Sequence, residues 1–317
     1  MRYQLYGLVI DIDNVLPGIS SIADVQVDIQ VRCDTSSKRF LKPSSWFMHW
    51  HLLENQPWLS FAKISNGYLL RFHQLADFFI NGEGNQITYT AENGVPEETA
   101  HHLLLDQVIP LVINLQGGQA LHVSAVLIPE GVVAFAGPTG SGKSTLSGGL
   151  FNLGYPLVCD DCLALLVKNE EIFAMPAYPG LRLWEDTLVY LFGNNGAYES
   201  VAHYTDKRRV EIEKITNAYC TEPKPLKRIY TIADASEGKD ETDIVIEKLS
   251  ARESFMALVR CAFRLDIKDL DMLKRQFHFL QRVASRVSVR RLIFPRDFNL
   301  LPVVREAILT DLQDLDN

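Results

Sequence analysis

Residues 134–145, AFAGPTGSGKST, combine what is needed to hold a chain of phosphates. Gly137 is followed by Pro138, Thr139, Gly140 and Ser141, then by Gly142, Lys143, Ser144 and Thr145, which satisfies G-x-x-x-x-G-K-[ST] at every fixed position. Glycines let the backbone curl until successive N–H groups converge. Those donors, with the start of the helix that follows, suit a triphosphate. Lys143 brings a compact charge to the β and γ oxygens, and the Ser144 hydroxyl is a hard oxygen donor of the kind Mg2+ prefers. The apolar run GVVAFAG precedes the loop and KSTLSGGLFNLG follows it, the strand–loop–helix context the motif requires. The expected ligand is a nucleoside triphosphate with Mg2+, with residues 137–145 as the binding loop.

Phosphate chemistry also needs carboxylates. Asp160 and Asp161 end YPLVCDD, the apolar run after the loop's helix. If that strand lies parallel beside the loop's strand, its C-terminal end falls next to the phosphates. Adjacent residues at a strand end point in different directions, so two acids suit two tasks. One acid can hold the water shell of the magnesium and the other can face an incoming hydroxyl and accept its proton. His122, in ALHVSAVL, can orient an aspartate or the substrate. LSGGL at Leu146–Leu150 echoes the LSGGQ signature of ABC-type ATPases, but that signature lies far downstream of the phosphate loop. Here the small residues are read as letting the loop's helix pack closely.

These residues need a scaffold. Residues 1–94 contain β-branched and aromatic runs, LYGLVIDI, ADVQVDIQVRC, WFMHWHLL, LSFAKIS, GYLLRFH, DFFING and NQITYTA, punctuated by Gly, Asn and Pro. They predict a β-rich subdomain. Trp46, Phe47, Trp50 and Trp58 are read as its core. VPEETAHHLLLDQVIPLVINLQGG predicts a helix bent by Pro110. From about residue 119 the pattern becomes strand, loop, helix, strand, a βαβ unit. LALLVK and EEIFAMPA predict a hairpin, Ser250 and Glu253 a capping box, VRRLIFP a last strand and RDFNLLPVVREAILTDLQ a closing helix. The expected domains are 1–117 and 118–317.

The 317 residues, 47% of them hydrophobic, can build a real core. A net charge of -8 without a basic block argues against nucleic acid as partner, while leaving room for a local cationic pocket. No apolar run approaches the roughly 20 residues of a membrane span, and MRYQLYGLVIDID is a poor secretory signal. The five scattered cysteines suit a reducing compartment, so the expected location is cytoplasmic, with no membrane partner. Cys159 and Cys162 have C-x-x-C spacing but no second ligand pair nearby.

The stretch LHVSAV…GVVAFAGPTGSGKSTLSGGLFNLGYPLVCDDCLAL resembles the catalytic domain of HPr kinase/phosphorylase and, more closely, the HPr kinase-like proteins of bacterial peptide-biosynthesis clusters. The resemblance is specific over residues 119–186, including AYPGLRLWED. It implies an α+β or α/β fold related to phosphoenolpyruvate carboxykinase: a β-rich N-terminal subdomain, a P-loop kinase core and a helical C-terminal tail. It also implies Lys143 on the phosphates, Ser144 on magnesium, Asp161 as proton acceptor, Asp160 on the metal side and His122 as an active-site partner. The family's glutamate metal ligand has no clean copy; GLRLWED stands in its place, with Arg182, Glu185 and Asp186 available. Lys207, Arg208 and Arg209 are candidates for steadying phosphoryl charge, or else a solvated basic turn. The implied activity is transfer of the γ-phosphoryl of ATP to a hydroxyl, a serine of a peptide or protein, with a ribosomal precursor peptide among the candidates. A small-metabolite kinase and a slow ATPase switch are the alternatives, and a homo-oligomer is open.

Overall fold

Short runs of Val, Ile, Phe and Tyr between Gly- and Asn-containing turns favour strands, and in the computed structural model the first part of the chain forms one eight-stranded sheet. The structure describes all residues but 17, 24, 35–42, 54–55, 194–197, 203, 211, 213–217, 234–242 and 314–317. The strands are β1 (Arg2–Leu5), β2 (Leu8–Ile12), β3 (Ile29–Cys33), β4 (Met48–Leu53), β5 (Gln56–Ile64), β6 (Gly67–Phe72), β7 (Ala76–Asn81) and β8 (Gln86–Ala91). Their order is β1-β2-β3-β8-β7-β6-β5-β4. LYGLVIDI, expected as one strand, is instead folded back on itself. Tyr6 at φ 59° and Gly7 at φ 79° make the tight turn between β1 and β2, since two central residues at positive φ match strand twist.

The following helix is α1 (Glu97–Leu103), a π-helical turn (Leu104–Val108) and α2 (Ile109–Leu115). Pro110 makes its mark as this π turn: the helix widens just upstream, and the proline falls in the first turn of α2, where a missing N–H does least harm. The turn also carries Asp106 into the interior, fully buried.

The rest of the chain supplies, in order, β9 (Gln119–Leu121), β10 (Val123–Ile128), β11 (Gly131–Ala136), α3 (Lys143–Phe151), β12 (Leu157–Cys159), β13 (Leu163–Lys168), β14 (Glu171–Met175), β15 (Leu181–Leu183) and α4 (Glu185–Phe192). Then come β16 (Glu199–Ser200), β17 (Arg208–Val210), β18 (Lys224–Ile232), β19 (Val245–Lys248), α5 (Ala251–Cys261), α6 (Leu270–Arg286), β20 (Ser288–Ile293), a 3-10 turn (Phe298–Leu300) and α7 (Leu301–Gln313). The main path of the nine-stranded sheet is β12-β10-β11-β18-β14-β13-β9, with β20 joining β18 to β19. The hairpin β13–β14 and the capping box at Ser250 form where the sequence places them.

The expected βαβ neighbours differ in one respect. β12 does not lie beside β11, because β10 pairs antiparallel with both. The reason is local: β10 and β11 form a tight hairpin, with Ile128 opposite Gly131, so β10 occupies that edge of β11 and the returning strand must pair one place further out. Two antiparallel steps restore the direction, so β12 ends at the same sheet edge as β11. The parallel neighbour of β11 is β18, itself parallel to β20.

One apolar core joins the N-terminal sheet, α1, α2, one face of the second sheet, α5 and α6. A second core lies on the other face, beneath α3, α4 and α7. Across the first, the Tyr6 hydroxyl donates to Leu105 O at 3.1 Å and Tyr6 N–H to Pro176 O at 2.8 Å. The glycines of LSGGL serve packing: a Cβ at Gly148 would lie 3.1 Å from Leu191 Cδ1, and one at Gly149 3.2 Å from Arg305 Cδ. No helix among the described residues is long and apolar enough to cross a membrane.

Because Leu181, Leu183 and Leu191 already fill the space around Gly148, Gly148→Leu is expected to destabilise the fold by about 1–3 kcal/mol through overpacking. Denaturant unfolding at neutral pH measures it; an unchanged midpoint would mean that α3 is not packed this way.

Candidate active site

At the end of β11 the chain turns through residues 137–142 into α3. Gly140 and Gly142 take φ of 78° and 100°, a region that side-chain-bearing residues enter at a cost. Nothing lies within 4 Å of a Cβ at Gly140, so the loop is open on that side. Lys143, the first residue of α3, is buried, and its ammonium donates to Gly137 O at 2.9 Å and Pro138 O at 3.2 Å. Burial draws its pKa down, against the pull of Asp161 and Asp160. Ser141 Oγ is buried with no hydrogen-bond partner in the protein. Ser144 Oγ donates to Asp160 Oδ1 at 2.8 Å. Thr139 through Thr145 line a cavity of about 880 Å³; Gly137 and Pro138 act on it through the carbonyls that hold Lys143.

Asp160 directly follows β12 and is buried, with Oδ2 accepting the Arg182 main-chain N–H at 3.0 Å. Asp161 turns to φ 70°, which a short polar side chain tolerates better than most, and the turn splits the two carboxylates. Asp161 lines the cavity, 3.2 Å from Arg182 Nη2 and 4.0 Å from Lys207 Nζ. Burial would raise both acids. At Asp161 it is outweighed by Arg182, Lys207, His122 and Lys143, which hold the carboxyl well below its usual range. At Asp160 burial and repulsion from Asp161 prevail, and its pKa is raised. The two neighbouring carboxyls are thus pushed in opposite directions.

His122 sits in the break between β9 and β10 rather than within a strand. Its Nδ1 lies 2.8 Å from Asp161 O. A carbonyl only accepts, so Nδ1 donates and Nε2 is the bare nitrogen of the neutral ring. Burial favours that neutral ring by lowering its pKa, against Asp161 and with Lys143.

Arg182, on β15, ties the acids together. It is 3% exposed. Its guanidinium bonds both oxygens of Asp106, donates to Asp160 O at 3.2 Å and pairs with Asp161. Asp106 also accepts from the Tyr178 hydroxyl at 2.8 Å and lies 2.7 Å from His102 Nδ1. Burial alone would raise the Asp106 carboxyl, but Arg182 and His102 hold it below its usual value. Asp106 and His102 escape the sequence reading, although a single acid inside HHLLLDQVIPLVINL with a histidine four residues before it is a visible signal.

The remaining candidates separate. Lys207 lines the cavity, whereas Arg208 and Arg209 lie on β17, outside the lining. Asp186 lines the cavity, but its carboxylate accepts the Thr187 N–H at 2.6 Å within the first turn of α4. Glu185 is exposed and outside the lining. Trp50 and Trp58, read as plain core, are only partly buried and form cavity wall, Trp58 edge-on to Tyr204 at 4.9 Å. Cys159 and Cys162 are buried free thiols. Lys143, Arg182, Lys207, Arg260, Arg264 and Arg296 line the cavity against Asp161, Asp186 and Asp297, a cationic excess in a chain of net charge -8.

No protein-family model and no curated protein matches the chain. Among solved structures it is similar to the HPr(Ser) kinase/phosphatase from Coxiella burnetii, at 13% identity and TM-score 0.36, over 63% of this chain and 99% of that one. Similarity this low leaves the geometry of the site as the ground for a functional reading.

Removing Arg182 leaves Asp106 and Asp161 without their shared cation. Arg182→Met is expected to cost about 3–5 kcal/mol at neutral pH. The folded pKa of Asp106 is depressed, so its contribution is complete above its unfolded value of about 4 and fades as pH falls through the lower folded value. The gap between wild type and variant in urea unfolding should therefore narrow below about pH 4; a gap constant with pH would contradict the role given to this ion pair.

Proposed function

We propose that this protein is a P-loop phosphotransferase that moves the γ-phosphoryl of ATP to a hydroxyl, with a serine of a peptide or protein as the acceptor. The observation that carries this reading is the convergence, on one cavity, of a glycine-rich loop with its lysine and a carboxylate fixed by two cations: Lys143 and Asp161 share that lining with Arg182 and Lys207.

The loop's open backbone, Lys143 and the start of α3 would hold the phosphates. Lys143 is held by two carbonyls of its own loop, and the buried Ser141 Oγ has no partner among the described residues, which fits a cradle built for an anion. Ser144 Oγ and Asp160 Oδ1, 2.8 Å apart, form the hard oxygen pair that would hold Mg2+. Bound there, the metal would supply neutralising charge to the phosphates. Asp161 would orient the acceptor hydroxyl. As the hydroxyl oxygen bonds to the γ phosphorus and the bond to the β-phosphate oxygen breaks, its proton passes to Asp161 and ADP leaves. A carboxylate held well below its usual pKa is a weak base, which suits a loose transition state in which the proton leaves late. His122 positions this acid through its main-chain carbonyl, and Arg182 and Lys207 through its carboxylate. Trp50, His51 and Trp58 of the N-terminal sheet share the cavity with Asp161 and supply an acceptor wall.

Incubation with γ-labelled ATP and Mg2+, with serine-containing peptides, with small hydroxylated metabolites and with neither, separates a peptide kinase from a metabolite kinase and from a slow ATPase. Lys143→Ala is expected to abolish transfer. Asp161→Asn should slow transfer at least about a hundredfold while leaving ATP affinity within about threefold; wild-type transfer by Asp161→Asn would remove Asp161 from the proposed chemistry.

A further inference from the structure

Arg296 touches the glycine-rich loop from outside it. β20 runs parallel to β18, which runs parallel to β11, so the segment after β20 emerges at the same sheet edge as the loop. There Phe294 is buried, with its ring tip 3.5 Å from the place a Cβ would take at Gly142. Pro295 stiffens the next step. Asp297 Oδ1 accepts Asn299 N–H at 2.9 Å and so begins the 3-10 turn that leads into α7. Between these fixed points stands Arg296, exposed, with Nη1 donating to Gly140 O at 3.0 Å.

Its countercharge is what stands out. Arg182 and Lys207 each have a carboxylate within 4.0 Å. Arg296 has no carboxylate partner among the described residues, and the carboxylate of its neighbour Asp297 is turned to the backbone. A single carbonyl at the open apex of the loop occupies one of its five N–H donors. Arg260 and Arg264 also line the cavity, but of these arginines it is Arg296 that hydrogen-bonds the loop. Arg296 is therefore a cation held at the mouth of the phosphate loop with its anion still to come. The guanidinium fork matches phosphate oxygens two at a time.

We propose that Arg296 is a phosphate clamp supplied from the C-terminal segment: on nucleotide binding its guanidinium leaves Gly140 O for the β- and γ-phosphate oxygens, and so makes the site select a triphosphate over a monophosphate. This inference rests on the nucleotide reading above. It adds a second cationic arm to Lys143, reaching the phosphates from the outer side of the loop.

Titration of the full-length protein with ATP, ADP and AMP in the presence of Mg2+ tests it, using wild type, Arg296→Ala and Arg296→Lys. Arg296→Ala should weaken ATP by about ten- to a hundredfold and lower the ratio of ATP to AMP affinity by a similar factor. Arg296→Lys, keeping the charge but losing the fork, should fall between. The ligand-free melting temperature should not move, since the side chain is exposed. Wild-type ATP affinity in Arg296→Ala would overturn the inference, as would equal losses for ATP and AMP, which would place the residue at the nucleoside. A wild-type chain that binds none of the three nucleotides would sink the nucleotide reading itself; one that prefers ATP, with Arg296→Ala unchanged, would sink this inference alone.

Discussion

A buried guanidinium is costly to remove from water, and the site is organised around balancing one. Arg182 receives two bonds' worth of charge from Asp106, a main-chain carbonyl from Asp160 and the carboxylate of Asp161. Geometry of this quality is what a buried ion pair needs to offset desolvation. Its consequence is spatial as much as energetic. Asp106 belongs to the π turn between α1 and α2, Arg182 to β15 and the two aspartates to the end of β12, so one planar group fixes three distant pieces of chain against each other. Because the Arg182 N–H also binds Asp160 Oδ2, strand and side chain are located together.

That clamp explains how two adjacent aspartates come to differ. Both lie beside the same arginine, Asp160 buried and Asp161 half-buried, and simple adjacency would make them near equivalents. The φ of 70° at Asp161 breaks the equivalence by turning the chain between them just beyond β12. Asp160 stays on the β12 side, with Ser144 Oγ and the Arg182 main chain as partners. Asp161 turns to the cavity and to Arg182 and Lys207. His122 then secures the turn, since its Nδ1 donates to the one carbonyl whose position depends on that unusual φ. Strain at a non-glycine residue persists only where surroundings over-determine it, and here a buried arginine and a half-buried histidine do so.

What the sequence makes legible is what is written contiguously. The loop, its flanking strand and helix, the capping box at Ser250 and the β13–β14 hairpin each depend on neighbours within a few residues, and each is found where periodicity and turn chemistry place it. The same holds for the Asp160–Asp161 pair at a strand end. The insertion of β10 between β11 and β12 is not legible, because the hairpin and the βαβ unit share the same local pattern and only pairing order separates them. Nor is the pairing of Asp106 with Arg182, 76 residues apart, or of Arg296 with Gly140, 156 apart. No periodicity encodes a contact at such separation. Trp50 and Trp58 show the further limit that a partly buried aromatic reads the same in a core and in a cavity wall.

The distribution of charge bears on how such a site would meet its ligand. The chain carries -8 overall, which by itself repels anions at long range. The cavity reverses that sign locally, with six cationic side chains against three anionic. Beyond a screening length of about 8 Å at physiological salt the surface field is largely lost, whereas partly buried cations inside a low-dielectric cleft are screened far less. A polyanion therefore gains little until it enters, and then meets Lys143, Arg182, Lys207 and Arg296 on one wall system. Selectivity in such an arrangement depends on how many of those cations a ligand's charges can reach at once. Of these, Arg182 is already committed to three acids and Lys207 to one, so the cations with charge to spare are Lys143, on loop carbonyls, and Arg296, at the loop's outer rim. The loop thus holds one cation on the carbonyls of Gly137 and Pro138 and another on that of Gly140, the two arms on which the proposed preference for a triphosphate depends.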